Sequence, residues 1–321
     1  MGPTEGKCGS RLTWALDGEG VLTIAGIGEM NNYTSSGGAP WELRKSSIVR
    51  TVVGSGVTSV GNYAFYNCPN LAEVSLPAGL RRLGERCLYN CDVLTEIALP
   101  EGLYEIGNYA FYDSDGLTAV SLPDSLTSLG TNAFLSCDHL ASVRLSEGLA
   151  GIPSSAFQGS ALTVVTIPEG VTQIGSYAFS SCRQLRELRL PSTLEGIGSG
   201  AFDYCESLET ILYTGTREDA AAIRIGTSNI PLTTATWRFL PDLTNMTVLR
   251  LPARLKVIEA EAFTGLACEA IVIPEGCTNI GSRAFAGCAN LVYVRIPASV
   301  SSIAEDAFAD CPLVEIDWVG H

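Results

Sequence analysis

An Ala-Phe phenylalanine returns along this chain at Phe65, Phe111, Phe134, Phe157, Phe179, Phe202, Phe263, Phe285 and Phe308, with Leu88 filling one place in the column. Successive members lie 22 or 23 residues apart, except for one interval of 61. A fixed period of this size describes units that cannot bury an apolar face alone and must stack on their neighbours, which is the condition for a solenoid. The unit reads L-x-x-(V/I)-x-(L/I)-P-x-G-(L/V)-x-x-(I/L)-G-x-x-A-F-x-x-C.

The first part, Leu71, Val74 and Leu76, recurs as Leu94, Ile97, Leu99 and as Leu117, Val120, Leu122. This spacing suits a strand with alternate side chains on one face. A proline then closes the strand, as at Pro77, Pro100, Pro123, Pro168 and Pro191, because it has no amide hydrogen. Leu80, Leu83 and Gly84 give a second extended run, with the glycine expected to permit backbone angles that a side chain would forbid. The segment around Ala-Phe fits one helical or 3₁₀ turn. The predicted fold class is an α/β solenoid, a single elongated body of about eleven coils and about 50 Å. Strands near 71–76 and 94–99 are expected to be neighbours in one sheet.

The motif (I/L)-P-x-(G/S)-(V/L)-x-x-I-G-x-x-A-F-x-x-C, repeated in register over nearly the whole chain, resembles the BspA-type leucine-rich repeat family of bacterial surface proteins. The resemblance implies a right-handed parallel superhelix and a role in adhesion to host or neighbouring-cell molecules. It covers more than the repeats. Cys8 to Trp14 and Pro40 to Arg44 look like the family's N-terminal module, and the block after Thr214 looks like a unit that ends an array.

The division that follows has four parts. Residues 1–47 are an N-terminal β-hairpin cap, with Leu12–Leu16 and Val21–Ile24 flanking the turn Asp17-Gly18-Glu19-Gly20. Residues 48–213 form a first repeat array. Residues 214–245 interrupt it with a short helix at Asp219–Ile223 and a strand at Ala235–Phe239, and residues 246–321 form a second array.

With 321 residues and a 46% hydrophobic composition, a solenoid extends its core lengthwise and needs no second globular domain. The net charge of −14 argues against nucleic acid or an anionic membrane as partner. No run of about 18 apolar residues is present to insert in a membrane. Met1-Gly2-Pro3-Thr4 lacks a secretory signal and, taken literally, means cytoplasm. The resemblance implies instead an extracellular or cell-surface protein whose signal peptide has been removed.

Eleven cysteines suggest disulfides, but Cys68, Cys91, Cys137, Cys182, Cys205, Cys288 and Cys311 share one column, where Ser114, Ser160 and Leu266 also stand. That column is read as wanting a compact buried residue rather than a bond. Cys87, Cys268 and Cys277 sit where other coils carry Ala, Leu and Val, which leaves Cys8 without a column.

No catalytic set emerges, so no enzyme, cofactor or metal is expected. There are two histidines: His321 is the last residue, and His139 holds a variable, solvated position. G-x-S-x-G, a phosphate loop and H-E-x-x-H are absent. Cys87 and Cys91 have the spacing of a metal clip, but both are explained by their columns. Asp92, Asp115 and Asp138 form a ladder that reads as solvated turns rather than a calcium site.

Tyr66, Tyr89 and Tyr112 directly follow the marker in three successive coils, with Tyr63 and Tyr109 two residues before it. They either offer contact area to a partner or cover the core of adjacent coils. Along the inner strand face, Ser75, Ala98, Ser121, Arg144, Thr166 and Arg189 show small residues giving way to arginine, so Arg144 and Arg189 are a second candidate contact. The reading is a non-enzymatic, monomeric surface or secreted binding and adhesion module facing a protein or glycan on host or neighbouring cells. Its alternative is a structural spacer. Hydrolase activity would require an acid and a nucleophile beside His139.

Overall fold

The period of the sequence reappears as strand register. Arg50 pairs with Glu73, Ala119 with Ser142 and Glu187 with Thr210, all in parallel and 23 positions apart. A second ladder pairs Ser59, Arg82, Glu105 and Ser128 in turn at the same offset. Shorter coils shift by 22, as between Gly151 and Gln173 or Val248 and Ala270. The longer strand of a coil buries its middle residue, such as Val120 or Val165, between exposed neighbours.

The computed structural model describes residues 4–239, 246–313 and 315–319. Two compact units, Met1–Phe239 and Leu240–His321, take the place of the single elongated body. Among the described residues, α-helix is confined to Arg217–Ala222 and Ile230–Thr234, so the architecture is a β-solenoid of stacked parallel strands with little helix. Residues 94–99 also depart from expectation, since they carry no strand. The first ladder opens at that coil, where a long 3.3 Å bond runs from Thr118 N–H to the Thr95 carbonyl. The coil is held by its second strand, Glu105–Ile106, which pairs on both sides.

In place of the expected helical turn, the Ala-Phe segment is a third ladder. The amides of Tyr63, Phe65 and Asn67 donate to the carbonyls of Glu85, Cys87 and Tyr89 in the next coil at 2.9, 2.8 and 2.9 Å. Between them, the amides of Ala64 and Tyr66 donate back to Gly61 and Tyr63 in their own coil, both at 3.3 Å. This alternation needs left-handed backbone two residues either side of the marker: φ is 55° at Tyr63 and 54° at Asn67, and 56° at Tyr109 and 57° at Asp113. A side chain there costs about 1–2 kcal/mol, and two such residues per coil are incompatible with a helix.

The glycine of the second extended run has a different role from the one expected. Gly84, Gly107 and Gly130 have no positive φ. A Cβ at Gly107 would meet Glu85 N at 2.5 Å, and one at Gly130 would meet Asn108 N at 2.3 Å. Glycine is required there because the backbone of the preceding coil passes in contact.

Inside the first unit, Phe111, Phe134, Phe157, Phe179 and Phe202 stack with ring centroids 4.8, 5.4, 5.5 and 5.4 Å apart. In the second unit, Phe285 stacks between Phe263 and Phe308 at 5.5 and 5.3 Å. Leu88 interrupts the first stack, and Phe65 lies instead against Trp41 at 5.8 Å. Trp41 Nε1 donates to the Ala64 carbonyl at 2.8 Å, so it is both packed and satisfied. Upstream, Glu5–Lys7, Leu12–Leu16 and Val21–Gly26 are antiparallel neighbours, and Val21–Gly26 pairs in parallel with Arg50–Val53.

All eleven cysteines are free thiols. The column also hydrogen-bonds, which the reading of a merely compact residue missed. Sγ of Cys91, Cys137 and Cys205 donates to the marker carbonyls of Phe65, Phe111 and Phe179 at 3.3, 3.0 and 3.2 Å. Ser114 Oγ donates likewise to the Leu88 carbonyl at 2.8 Å, which is why serine substitutes for cysteine.

The block after Thr214 extends both ladders as a longer coil: Arg224–Ile225 pairs with Gly196–Ile197 and Thr236–Phe239 with Thr210–Tyr213. Asn229 stands in for the missing turn, its Oδ1 accepting from Phe202 N–H at 3.0 Å and its Nδ2 donating to the Gly198 carbonyl at 2.9 Å. Residues 240–245 of that block lie outside the described residues.

Two outcomes follow. Gly130→Ala should lower stability by about 3 kcal/mol in urea denaturation, because overpacking here is against backbone. Gly18→Ala, where a Cβ meets nothing within 4 Å, should be neutral; equal effects would refute the close-approach account. Burial pushes the Cys91 and Cys182 thiols from 9.0 up to about 12. The unfolded thiol then ionises first, so stability is unaffected below pH 9 and falls as pH rises from there towards 12. Cys91→Ser should make that fall shallower by about 1 kcal/mol at pH 10, and an unchanged slope would contradict the burial.

Candidate functional site

Two columns of side chains emerge from the third ladder and run side by side over three coils. One is the residue after the marker, Tyr66, Tyr89 and Tyr112. The other is the left-handed residue two before it, Tyr63, Arg86 and Tyr109. The rings of the first column stack on one another, Tyr66 on Tyr89 at 4.8 Å and Tyr89 on Tyr112 at 4.6 Å. In the second column the Arg86 guanidinium lies 4.4 Å from the Tyr109 ring and 5.6 Å from the Tyr63 ring, a cation held by two π faces. Contacts of 5.2 Å between Tyr63 and Tyr66 and 5.8 Å between Tyr109 and Tyr112 join the columns.

Arg86 Nη1 donates to Tyr63 Oη at 2.8 Å and forms an ion pair with Glu85. With Ser35, these six residues line a recess of about 410 Å³. The five tyrosines are half-buried rather than exposed, because each covers its neighbour. Burial, then the neighbouring Tyr112 and Tyr66, push the Tyr89 phenol above its ordinary range, while Arg86 opposes the shift. It is therefore a neutral hydroxyl at ordinary pH. Both faces of Tyr89 are spent on stacking, so edges, hydroxyls and the cation are what the centre of the recess offers to a ligand.

Sequence reading found the tyrosines by their distance from the marker but passed over Arg86. Its signal is present: the column two before the marker reads Tyr, Arg, Tyr in three successive coils.

The other candidate residues lie outside the recess lining. Arg144 is exposed, with Nη2 donating to both Asp124 carboxylate oxygens at 2.7 and 2.8 Å and Nη1 donating to the Leu122 carbonyl at 3.0 Å. That pairing holds the Asp124 carboxyl below its usual range. Arg189 is 7% exposed, and its Nε lies 2.6 Å from Glu187, within the packing rather than on an open face.

In the aspartate ladder, burial and then the charge of Asp115 raise the carboxyls of Asp92 and Asp138, and they act likewise on the adjacent Asp113. Among the described residues no group of three His, Cys, Asp or Glu is placed to hold a metal ion. His139 is exposed, its Nδ1 2.9 Å from the Asp115 carbonyl oxygen, and His321 lies outside the described residues.

This architecture is one already known. Residues 43–160, 104–220 and 240–319 match the BspA type Leucine rich repeat region (6 copies), and the chain belongs to that family. Among solved structures it is similar to a leucine rich cell surface protein of Faecalibacterium prausnitzii, at 23% identity and a TM-score of 0.50, covering 100% of this chain and 96% of the other. It is also similar to a leucine-rich repeat protein of Bacteroides ovatus, at 20% identity and a TM-score of 0.53, covering 97% and 98%. At such identities the likeness is one of fold. No curated protein matches the chain.

Proposed function

We propose that this chain is a non-enzymatic binding module, secreted from or displayed on a bacterial cell, which presents the tyrosine and arginine recess of its first unit to a protein or glycan partner. The observation that carries this reading is the recess itself: five tyrosines and an arginine from three coils converge on one concave patch. Tyrosine and arginine dominate binding energetics at interfaces because they combine large contact area with a polar tip. Their mutual stacking fixes the rings beforehand and removes part of the ordering cost of binding.

The same reading assigns residues 1–47 as the cap of the first coil, 48–213 as the contact array, 214–245 as an interruption and 246–321 as a second array. The array winds right-handedly and acts as a monomer. The charge of −14 disfavours nucleic acid and anionic membranes. No helix among the described residues is long and apolar enough to cross a membrane. Surface placement is supported by membership of the BspA-type family.

A glycan and matrix-protein array with the purified chain should reveal a partner. Converting Tyr66, Tyr89 and Tyr112 together to phenylalanine keeps the stack and removes the hydroxyls, so the melting temperature should hold. Binding to that partner should weaken about tenfold or more, since its polar groups are left without partners. Full binding by the folded variant would discard the recess and favour the spacer role.

A further inference from the structure

We infer that the recess takes a carboxylated sugar, a uronic or sialic acid residue, with its carboxylate on the open edge of Arg86. The inference rests on the recess being the binding site and adds the class of ligand. Of the Arg86 nitrogens, Nη1 is spent on Tyr63 Oη and Glu85. Nε and Nη2 make no hydrogen bond to the protein among the described residues, and the side chain is 28% exposed. These two nitrogens share one edge of the planar guanidinium and offer two parallel N–H donors, the geometry that a carboxylate accepts in bidentate fashion.

The cation is also held in place. Tyr109 at 4.4 Å and Tyr63 at 5.6 Å clamp the guanidinium between rings, and the Nη1 bond to Tyr63 fixes its rotation. A donor pair immobilised before the ligand arrives loses little entropy on binding, and the flanking rings displace water from it. The neighbouring phenols supply hydroxyls that both donate and accept, as the hydroxyls of a sugar do.

Size decides between a sugar and a protein. A volume of about 410 Å³ lies at the lower end for small-molecule sites. A stable protein interface covers about 800 Å² on each partner, far beyond a patch three coils high. The stacking spacings of 4.6 and 4.8 Å cover both faces of the central Tyr89, so no pyranose can lie on it. A neutral sugar beside Tyr89 would have hydroxyl contacts there, and the carboxylate supplies the anchor. Against it stand Glu85, which already pairs with the cation, and Asp113, whose charge reaches Tyr89. In a chain of net charge −14, recognition of an anion has to come from this local contact rather than from general attraction.

The test is calorimetric titration of the full chain with methyl glucuronide, sialic acid, methyl glucoside and an oligo-aspartate peptide. Glucuronide and glucoside differ only in a carboxylate against a hydroxymethyl group. At least one of the two acidic sugars should bind about tenfold more tightly than glucoside, the better of them identifying the source. Arg86→Gln should erase that preference, and Glu85→Gln, which removes the internal competitor at a half-buried position, should strengthen it several-fold.

Equal titration of glucuronide, sialic acid and glucoside overturns the inference, as does no binding of either acidic sugar at tens of millimolar. So does a preference that survives in Arg86→Gln at unchanged melting temperature. Peptide binding through Arg86 without sugar binding overturns it in favour of a protein partner. In each of these cases the recess still stands as the site if an array partner depends on the tyrosine hydroxyls. If that dependence is absent while the acidic sugars bind through Arg86, the array partner contacts another surface and the recess is a site for acidic sugars alone.

Discussion

From Phe65 to Phe179, and again at Phe263 and Phe285, the marker amide donates to the carbonyl of the residue before the marker in the next coil, and the rest of the structure is arranged around that bond. It measures 2.8 Å from Phe65 to Cys87, from Phe111 to Ala133, from Phe157 to Ala178 and, in the second unit, from Phe285 to Ala307. Coils joined so closely leave no room for a Cβ where the backbones cross, which accounts for Gly84, Gly107 and Gly130. The same closeness stacks the phenylalanine rings and leaves the marker carbonyl to be met by the thiol or hydroxyl of the Cys column. Buried polar backbone is thereby satisfied on both sides of the chain's largest recurrent side chain.

The left-handed residues that this ladder requires also create the candidate site. By turning the chain two residues before and after the marker, they bring the positions of Tyr63, Arg86 and Tyr109 beside those of Tyr66, Tyr89 and Tyr112. Other coils do not repeat the combination: Asn132 stands with Leu135, Ser155 with Gln158, Tyr177 with Ser180 and Arg283 with Ala286. The family's repeat thus accounts for the scaffold, while the departures from it carry what is particular to this chain. One coil carries three of them, Arg86 where the adjacent coils have tyrosine, Cys87 in place of an alanine and Leu88 in place of the phenylalanine, and in the following coil the segment at 94–99 lacks its strand.

Much of this was legible in the sequence because one face of each strand repeats every period. The marker column, the inward valines and leucines, the free thiols and the adjacency of Tyr66, Tyr89 and Tyr112 all follow from position within one coil. What was not legible depends on contacts between coils. Nothing in the coil of Gly107 shows that Glu85 N passes 2.5 Å from its missing Cβ, so its spacing alone suggests a conformational role. The acceptor of Cys91, the Phe65 carbonyl, belongs to the preceding coil, so its own coil shows only a compact side chain. The spacing of the Ala-Phe segment fits a helical or 3₁₀ turn because local sequence does not show that alternate amides leave the coil, and the partners of Arg86, Tyr63 and Tyr109, lie one coil away on either side.

Amide hydrogen exchange followed by NMR tests the central role of the third ladder most directly. Amides that open only with the whole unit exchange slowest and at a common rate. Those of Phe111, Phe134, Phe157 and Phe179 should form that group, well behind the amides of Ala110 and Ala156, whose bonds lie within their own coils at 3.3 Å. Marker amides that exchange as fast as those of the exposed turn at residues 17–20 would show that the coils are not joined through this ladder.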